Sequence, residues 1–284
     1  MTPAELSRTV LRVVRRAVEE DVLPAPVPER VAVERTRPGG TGDYASNVAL
    51  RVAREARMPP REVAELLRAR LTGTPGIAAV EVTGPGFLNF LLAADSADET
   101  VRELLRRGPV RTDALPLLEP GPEALARLGH DAAVWGALLP APDAELLAQH
   151  ERNPLFRVRY AYSRTRALRR NAADLGYRAA YETPVPAPEL IGLLGGYPVE
   201  LDVAVRLRAP ERLARHLVAV ADAFLRFHDT RFPGAHREGA RYVLPLGDEK
   251  PSAAHRSRLA VAEAAGTVLA GGLSQLGVSA PDRL

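Results

Sequence analysis

The chain has 284 residues, 46% hydrophobic and 26% charged: enough for two globular domains, and too apolar for a disordered chain. Cysteine is absent, which excludes a disulfide framework, a thiolate-ligated zinc and a cysteine nucleophile. Net charge is only +3, yet 37 of the 38 basic residues are arginine, Lys250 being the single lysine; a GC-rich coding sequence accounts for most of that bias.

The first predicted element is a helix, with Leu6, Val10, Val13, Val14 and Ala17 repeating on one face until Pro24, Pro26 and Pro28 end it. Arginines 8, 12, 15 and 16 interrupt it, so it is no secretory signal, and no apolar run approaches the ~18 residues that would span a bilayer. A cytoplasmic protein is expected. Val31 and Val33 alternate as a short strand, and Pro38-Gly39-Gly40-Thr41-Gly42 reads as a loop. That loop lacks the lysine and spacing of a phosphate-binding P-loop. Asp43 is placed to cap a helix running to about Arg57. A helix opened by Pro59-Pro60 follows, with Val63, Leu66, Leu67 and Leu71 inward and Gly73 past its end. Ile77 to Val82 and Phe87 to Leu92 read as two strands joined by Gly84-Pro85-Gly86, and Asp95 to Arg107 as a closing helix. Residues 1–107 therefore form an α+β domain.

Residues 108–150 are Pro-rich and read as a linker with one helical stretch near Glu123 to Leu139. From there the strand signal disappears. Asn153 to Leu175, Ala187 to Val205, Pro210 to His228 and Ser252 to Leu276 all carry helical periodicity, which makes 151–284 an all-α bundle. Residues 151–178 hold eight arginines against Glu151 and Asp174, a local +6 that leaves −3 for the remainder of the +3 chain. A basic patch on a mildly acidic body is the footprint of nucleic-acid binding, the plainer alternative being a solvated helix face. The six histidines (130, 150, 216, 228, 236, 255) show no metal-ligand spacing, and neither a metal nor an organic cofactor is implied.

Four stretches, in this order, resemble arginyl-tRNA synthetases: Gly42-Asp43-Tyr44-Ala45-Ser46-Asn47-Val48-Ala49; Gly84-Pro85-Gly86-Phe87-Leu88-Asn89-Phe90; Asn153-Pro154-Leu155-Phe156-Arg157-Val158-Arg159-Tyr160-Ala161-Tyr162-Ser163-Arg164; and Gly272-Leu273 through Leu276-Gly277-Val278 to Ala280-Pro281-Asp282-Arg283-Leu284. The resemblance covers roughly 1–107 and 123–284. It implies the family's N-terminal additional domain and its DALR-type anticodon-binding domain. The family's Rossmann-type catalytic domain has no counterpart. No HxGH motif occurs; Arg127-Leu128-Gly129-His130 shares only its last two residues, and a single lysine cannot complete a KMSKS-like loop. The 56 residues from Asp95 to His150 cannot hold a six-stranded nucleotide fold, since one βαβ unit needs ~30.

The resemblance therefore implies an arginine-tRNA binder that does not aminoacylate. Carried over residue by residue, Phe87 would stack on an unpaired D-loop base at the tRNA elbow and Asn89 would bond its edge. The two share one face of the strand, with Leu88 and Phe90 on the other; the plain alternative makes Phe87 core and Asn89 a solvent-facing strand residue. Arg157, Tyr160 and Arg164, one turn apart on a helix, would hold the anticodon loop together with Leu284. Leu284 stands where the family usually has methionine and Tyr162 where histidine is common, departures that bear on anticodon preference. Beside the tRNA itself, a synthetase or a tRNA-dependent biosynthetic enzyme is the partner this reading implies. Two further readings are a protein-interaction module that has lost RNA binding and the tRNA-binding subunit of a split synthetase, completed by a separate catalytic subunit.

Overall fold

The structure, a computed structural model, describes residues 1, 3–36, 41–93, 95–228 and 242–284. It separates into two compact units, Met1–Glu99 and Thr100–Leu284.

In the first unit, α1 (Pro3–Glu19) buries Leu6, Val10, Val14 and Ala17, the stripe its periodicity predicts. The alternation at Val31 and Val33 buries both side chains, but their backbone is not the strand. β1 is only Glu34–Arg35, because side-chain hydroxyls take up the preceding carbonyls: Ser7 Oγ donates to Val31 O and Ser46 Oγ to Ala32 O, each at 2.6 Å. β2 (Tyr44–Ser46) precedes α2 (Val48–Ala56), and α3 (Pro60–Leu71) follows with proline in its first turn, where the missing N–H is harmless. β3 (Ile77–Thr83) and β4 (Phe87–Leu92) complete an antiparallel sheet of order β1-β2-β4-β3, in register at Thr83↔Phe87 and Glu81↔Asn89.

Asp43 does not cap α2. Its carboxylate accepts the Leu92 N–H at 2.8 Å and its own N–H donates to Phe90 O at 2.7 Å, tying the strand entry to β4; the Val48 N–H at the head of α2 donates instead to Ser46 Oγ. Gly42, at φ +78°, makes this approach possible, since a Cβ there would stand 2.8 Å from Phe90 O. Residues 37–40 of the glycine-rich loop lie outside the described residues.

The boundary between units falls inside α4 (Asp95–Arg107), earlier than residue 107. The later turns of this helix belong to the second unit: Arg102 lies 5.6 Å over the Tyr181 ring and donates to Tyr181 O. The stretch read as a linker is likewise part of that unit and carries three short helices, α5 (Pro122–Leu128), α6 (His130–Leu138) and α7 (Asp143–Leu147). One continuous helix was expected across the first two. Gly129, at φ +73°, divides them. α8 (Pro154–Asp174), α9 (Pro188–Leu207), α10 (Pro210–His228) and α11 (Ala253–Gln275) form the bundle, and among the described residues no helix is long and apolar enough to cross a membrane.

α11 is the bundle's central helix, packed on α8, α9 and α10 and buried around most of its girth. Small residues permit this. A methyl at Gly266 would run into Thr165 of α8, and one at Gly272 into Leu217 of α10. Gly266→Ala should therefore destabilise the protein by about 1–3 kcal/mol through overpacking, read as a lower urea midpoint with unchanged slope.

The head of α11 carries a capping box in which His255 stands where glutamate or glutamine is usual. Ser252 N–H donates to His255 Nδ1 at 3.2 Å, so the ring must keep that nitrogen unprotonated. Burial, with Arg258 adding to it and Glu249 opposing, holds the imidazole below its ordinary 6.5. Below pH 6.5 the unfolded chain takes up a proton that the folded chain refuses, so stability should fall on acidification through that value. The melting temperature is expected to drop between about pH 7.5 and 5.5 in the native protein and to drop less in His255→Gln.

Candidate RNA interface

The first cluster lies on the β3–β4 hairpin. Thr83 O accepts the Gly86 N–H at 3.2 Å across a turn in which Gly84 and Gly86 take positive φ; at Gly86 a Cβ would meet Pro60 O at 2.8 Å. This tight turn sets Phe87 at the start of β4 with 39% of its surface exposed, while Leu88 and Phe90 are fully buried. Phe87 is thus neither core nor covered. Asn89 is only 8% exposed, against the alternation that would pair it with Phe87 in solvent. Its Nδ2 donates to Thr83 Oγ1 at 3.0 Å and to Thr41 Oγ1 at 3.3 Å. A base edge meeting Asn89 would compete with those two bonds.

The second cluster depends on how α8 begins. Asn153, buried, accepts the N–H groups of Leu155 and Phe156 on its Oδ1 (3.0 and 3.3 Å) and donates through Nδ2 to the carbonyls of Leu146 and Ala148 (both 2.9 Å). One side chain caps α8 and fastens the end of α7 to it. Leu155, Val158, Ala161, Thr165, Leu168 and Ala172 then face inward. At 100° per residue, that leaves Arg157, Tyr160 and Arg164 on one flank.

The structure brings those three together beside α10. Arg157 pairs with Asp222 at 3.2 Å, Tyr160 is 43% exposed and stacks on Phe156 with ring centres 5.7 Å apart, and Arg164 Nε donates to His228 Nε2 at 2.7 Å. The His228 ring stacks in turn on Phe224. An exposed aromatic ring between two guanidinium groups held by α10 can stack a base and meet phosphate.

Leu284 is 56% exposed. The segment leading to it is fixed roughly 150° around α8, where Arg159, Tyr162, Arg166 and Arg170 lie. Arg166 holds Asp282 with both Nε and Nη2 (3.0 and 3.1 Å), and Tyr162 donates to the same carboxylate at 3.0 Å. Arg166 first and Tyr162 second keep the Asp282 carboxyl below the usual carboxylate range. Sequence reasoning missed Asp282, Asp222 and His228, because each meets α8 across 64 or more residues and periodicity reports only near neighbours.

The +6 segment is consequently less basic than its sum. Three of its eight arginines, 157, 159 and 166, are ion-paired with Asp222, Asp131 and Asp282. Glu263 of α11 faces Arg166 and Arg169, and burial pushes its carboxyl up. Among the described residues no group of histidine and acidic side chains could hold a metal; His236 lies outside them. His130, at the end of the HxGH-like stretch, bonds Gly277 O at 3.0 Å.

Two family models match the chain. "Arginyl tRNA synthetase N terminal domain" covers residues 5–92, and "DALR anticodon binding domain" covers 158–284. The chain belongs to the arginyl-tRNA synthetase family. It carries the family's N-terminal and anticodon-binding domains without the catalytic domain. It is similar to the "Arginine--tRNA ligase" of Frankia alni, 50% identical over 108 residues, 38% of this chain and 20% of that one. It is also similar to the enzyme of the same name from Micrococcus luteus, 36% identical over 232 residues, 74% of this chain and 39% of that one. The chain thus spans between a fifth and two fifths of these relatives. Among solved structures, the arginyl-tRNA synthetase of Thermus thermophilus aligns at a TM-score of 0.65 and 12% identity, covering 100% of both chains, a likeness of fold alone.

Asn153 gives the interface a direct stability test. Asn153→Ala removes the α8 cap and both fastenings to α7, and should cost about 2 kcal/mol, at the upper end for capping residues, read by urea denaturation.

Proposed function

We propose that this protein binds tRNA, arginine tRNA in preference, and does not aminoacylate it. The observation that carries the reading is the exposed Tyr160, stacked on Phe156 and set between Arg157 and Arg164, within a stretch that opens a DALR anticodon-binding domain. Arg157, Tyr160, Arg164 and Leu284 take the anticodon loop. On the first unit, Phe87 stacks on a splayed loop base at the elbow, and Asn89, by exchanging its bonds to Thr41 and Thr83, meets the base edge. Two sites in one chain raise each other's effective concentration on a single tRNA.

The absence of charging chemistry has its own support. Every strand among the described residues lies before residue 93, and the described residues from 95 to 157 are helices and connections, with no sheet on which to seat ATP. A tRNA held but not charged could be delivered, withheld or presented to a synthetase or a tRNA-dependent biosynthetic enzyme, the partner classes that fit this reading.

The test is a salt series of binding curves for arginine tRNA, a non-cognate tRNA and mixed-sequence RNA, with Phe87→Ala and Tyr160→Ala alongside, plus an aminoacylation assay with ATP and arginine. Arginine tRNA should bind tightest, each variant should lose about 1–3 kcal/mol, and no arginine should be attached. Equal binding of all three RNAs with a steep salt slope and indifferent variants would reduce the interaction to charge alone. Affinity for a protein partner unaffected by Arg157→Ala, Arg159→Ala and Arg164→Ala would point to an interaction module, and arginylation restored by a separate catalytic subunit would point to a split synthetase.

A further inference from the structure

The segment from Leu276 onward is held by two latches. In the first, Leu276 and Val278 are buried, His130 bonds Gly277 O at 3.0 Å, and Asp131 accepts both the N–H (3.2 Å) and the hydroxyl of Ser279. Arg159 of α8 closes it, donating to Ser279 Oγ at 3.1 Å and pairing with Asp131 at 3.5 Å. The second latch is Asp282. Its carboxylate is gripped by Arg166 and Tyr162, and its main-chain oxygen accepts from Ser163 Oγ (3.4 Å) and Arg170 Nη1 (3.5 Å).

The two latches match in spacing. From Arg159 to Arg166 α8 rises ~10 Å, and three extended residues from Ser279 to Asp282 span ~10 Å, so the segment runs along the helix in its own direction. Between this strap and the flank of Arg157, Tyr160 and Arg164 lies the α8 ridge of Phe156 and Ser163, with α10 bounding the far side. The strap is one wall of the surface on which Tyr160 is displayed. Among the described residues no hydrogen bond or ion pair holds Arg283 or Leu284, both exposed, so the second latch sets where these two residues start.

We infer that Asp282 is a positioning residue for RNA: clasped by Arg166 and Tyr162, it fixes Arg283 and Leu284 beside the α8 ridge, so that a guanidinium and an apolar side chain are in place before the anticodon loop arrives. This rests on the tRNA-binding reading given above and names the device that readies one side of that site. The physical gain is preorganisation. Ordering the strap happens during folding, and the entropy lost in it is not charged against binding. Asp282 itself, with its carboxylate turned onto Arg166 and Tyr162, is not the group that meets the anionic ligand.

The experiment uses the full chain and three variants: Asp282→Ala, Asp282→Glu and, for the first latch, Asp131→Asn. Three quantities are read: amide hydrogen exchange of residues 279–284 in the free protein, arginine-tRNA affinity, and melting temperature. Asp282→Ala should speed exchange at the strap and weaken tRNA binding about ten-fold, with the melting temperature close to native; Asp282→Glu, which can still reach Arg166, should recover most of both. Asp131→Asn should loosen residues 276–279 with a smaller loss of affinity. Faster exchange with native affinity overturns the inference, because the position of the strap then does not matter. Lower affinity with native exchange also overturns it, because Asp282 then acts by some route other than positioning. A rise in affinity would make the carboxylate a stand-in for phosphate that RNA displaces, the opposite role. If the native protein shows no preference for tRNA, the binding reading fails and takes this inference with it, while the exchange data still report whether the latch holds.

Discussion

The second unit depends on how closely α11 can be approached. A helix buried around most of its circumference cannot carry large side chains on every face, and α11 meets this with alanine and glycine where its neighbours press nearest. Thr165 of α8 sits against Gly266, and Leu217 of α10 against Gly272. These contacts set the positions of α8 and α10 on α11, and the ion pair from Arg157 to Asp222 and the bond from Arg164 to His228 then become possible between side chains of ordinary length. The surface that displays Tyr160 is a consequence of small residues on the helix behind α8 and α10.

Electrostatics on that surface are organised by pairing more than by net charge. Counted along the chain, the α8 region is strongly basic; counted in space, three of its arginines are joined to carboxylates from α6, α10 and the final segment. Half-exposed pairs of this sort contribute little to stability, but they fix the orientation of long side chains. A guanidinium held by a carboxylate on one edge still presents its other N–H groups and its face, which is how a surface of modest net charge can remain able to meet phosphate and bases. The same logic governs the first unit in a neutral form. Asn89 joins Thr41 and Thr83 beneath an exposed Phe87, so the hairpin offers a ring above a preset group of hydroxyls and an amide.

Much of the fold was legible from local pattern. Helical stripes such as Leu6, Val10 and Val14 or Leu155, Val158 and Ala161 name their own buried face, because a 3.6-residue period needs no knowledge of the partner. The Gly84-Pro85-Gly86 turn and the Asn153-Pro154 helix start are equally local, each decided by backbone geometry within a few residues. What failed was also physical in origin. Asp43 has the chemistry of a cap, yet β4 lies close enough to claim both its carboxylate and its N–H. Val31 and Val33 alternate like a strand, but hydroxyls from Ser7 and Ser46 reach that backbone first. Asn89 follows the alternation of β4 only in name, because Thr83 and Thr41 cover it.

The sequence by itself determined the two domain types, their order, the helices and hairpin, and the residue types suited to RNA, since periodicity, turn chemistry and motif order are all properties of neighbours along the chain. Only the tertiary structure decided which of those residues stand together. It grouped Arg157, Tyr160 and Arg164 against α10, placed the approach to Leu284 on the other flank of α8, neutralised part of the basic segment, and made Asp282 the anchor of the final residues. The reason is distance along the chain. Asp282 meets Arg166 across 116 residues, and no periodic signal in a sequence spans such a gap; the packing of α8 on α11 does.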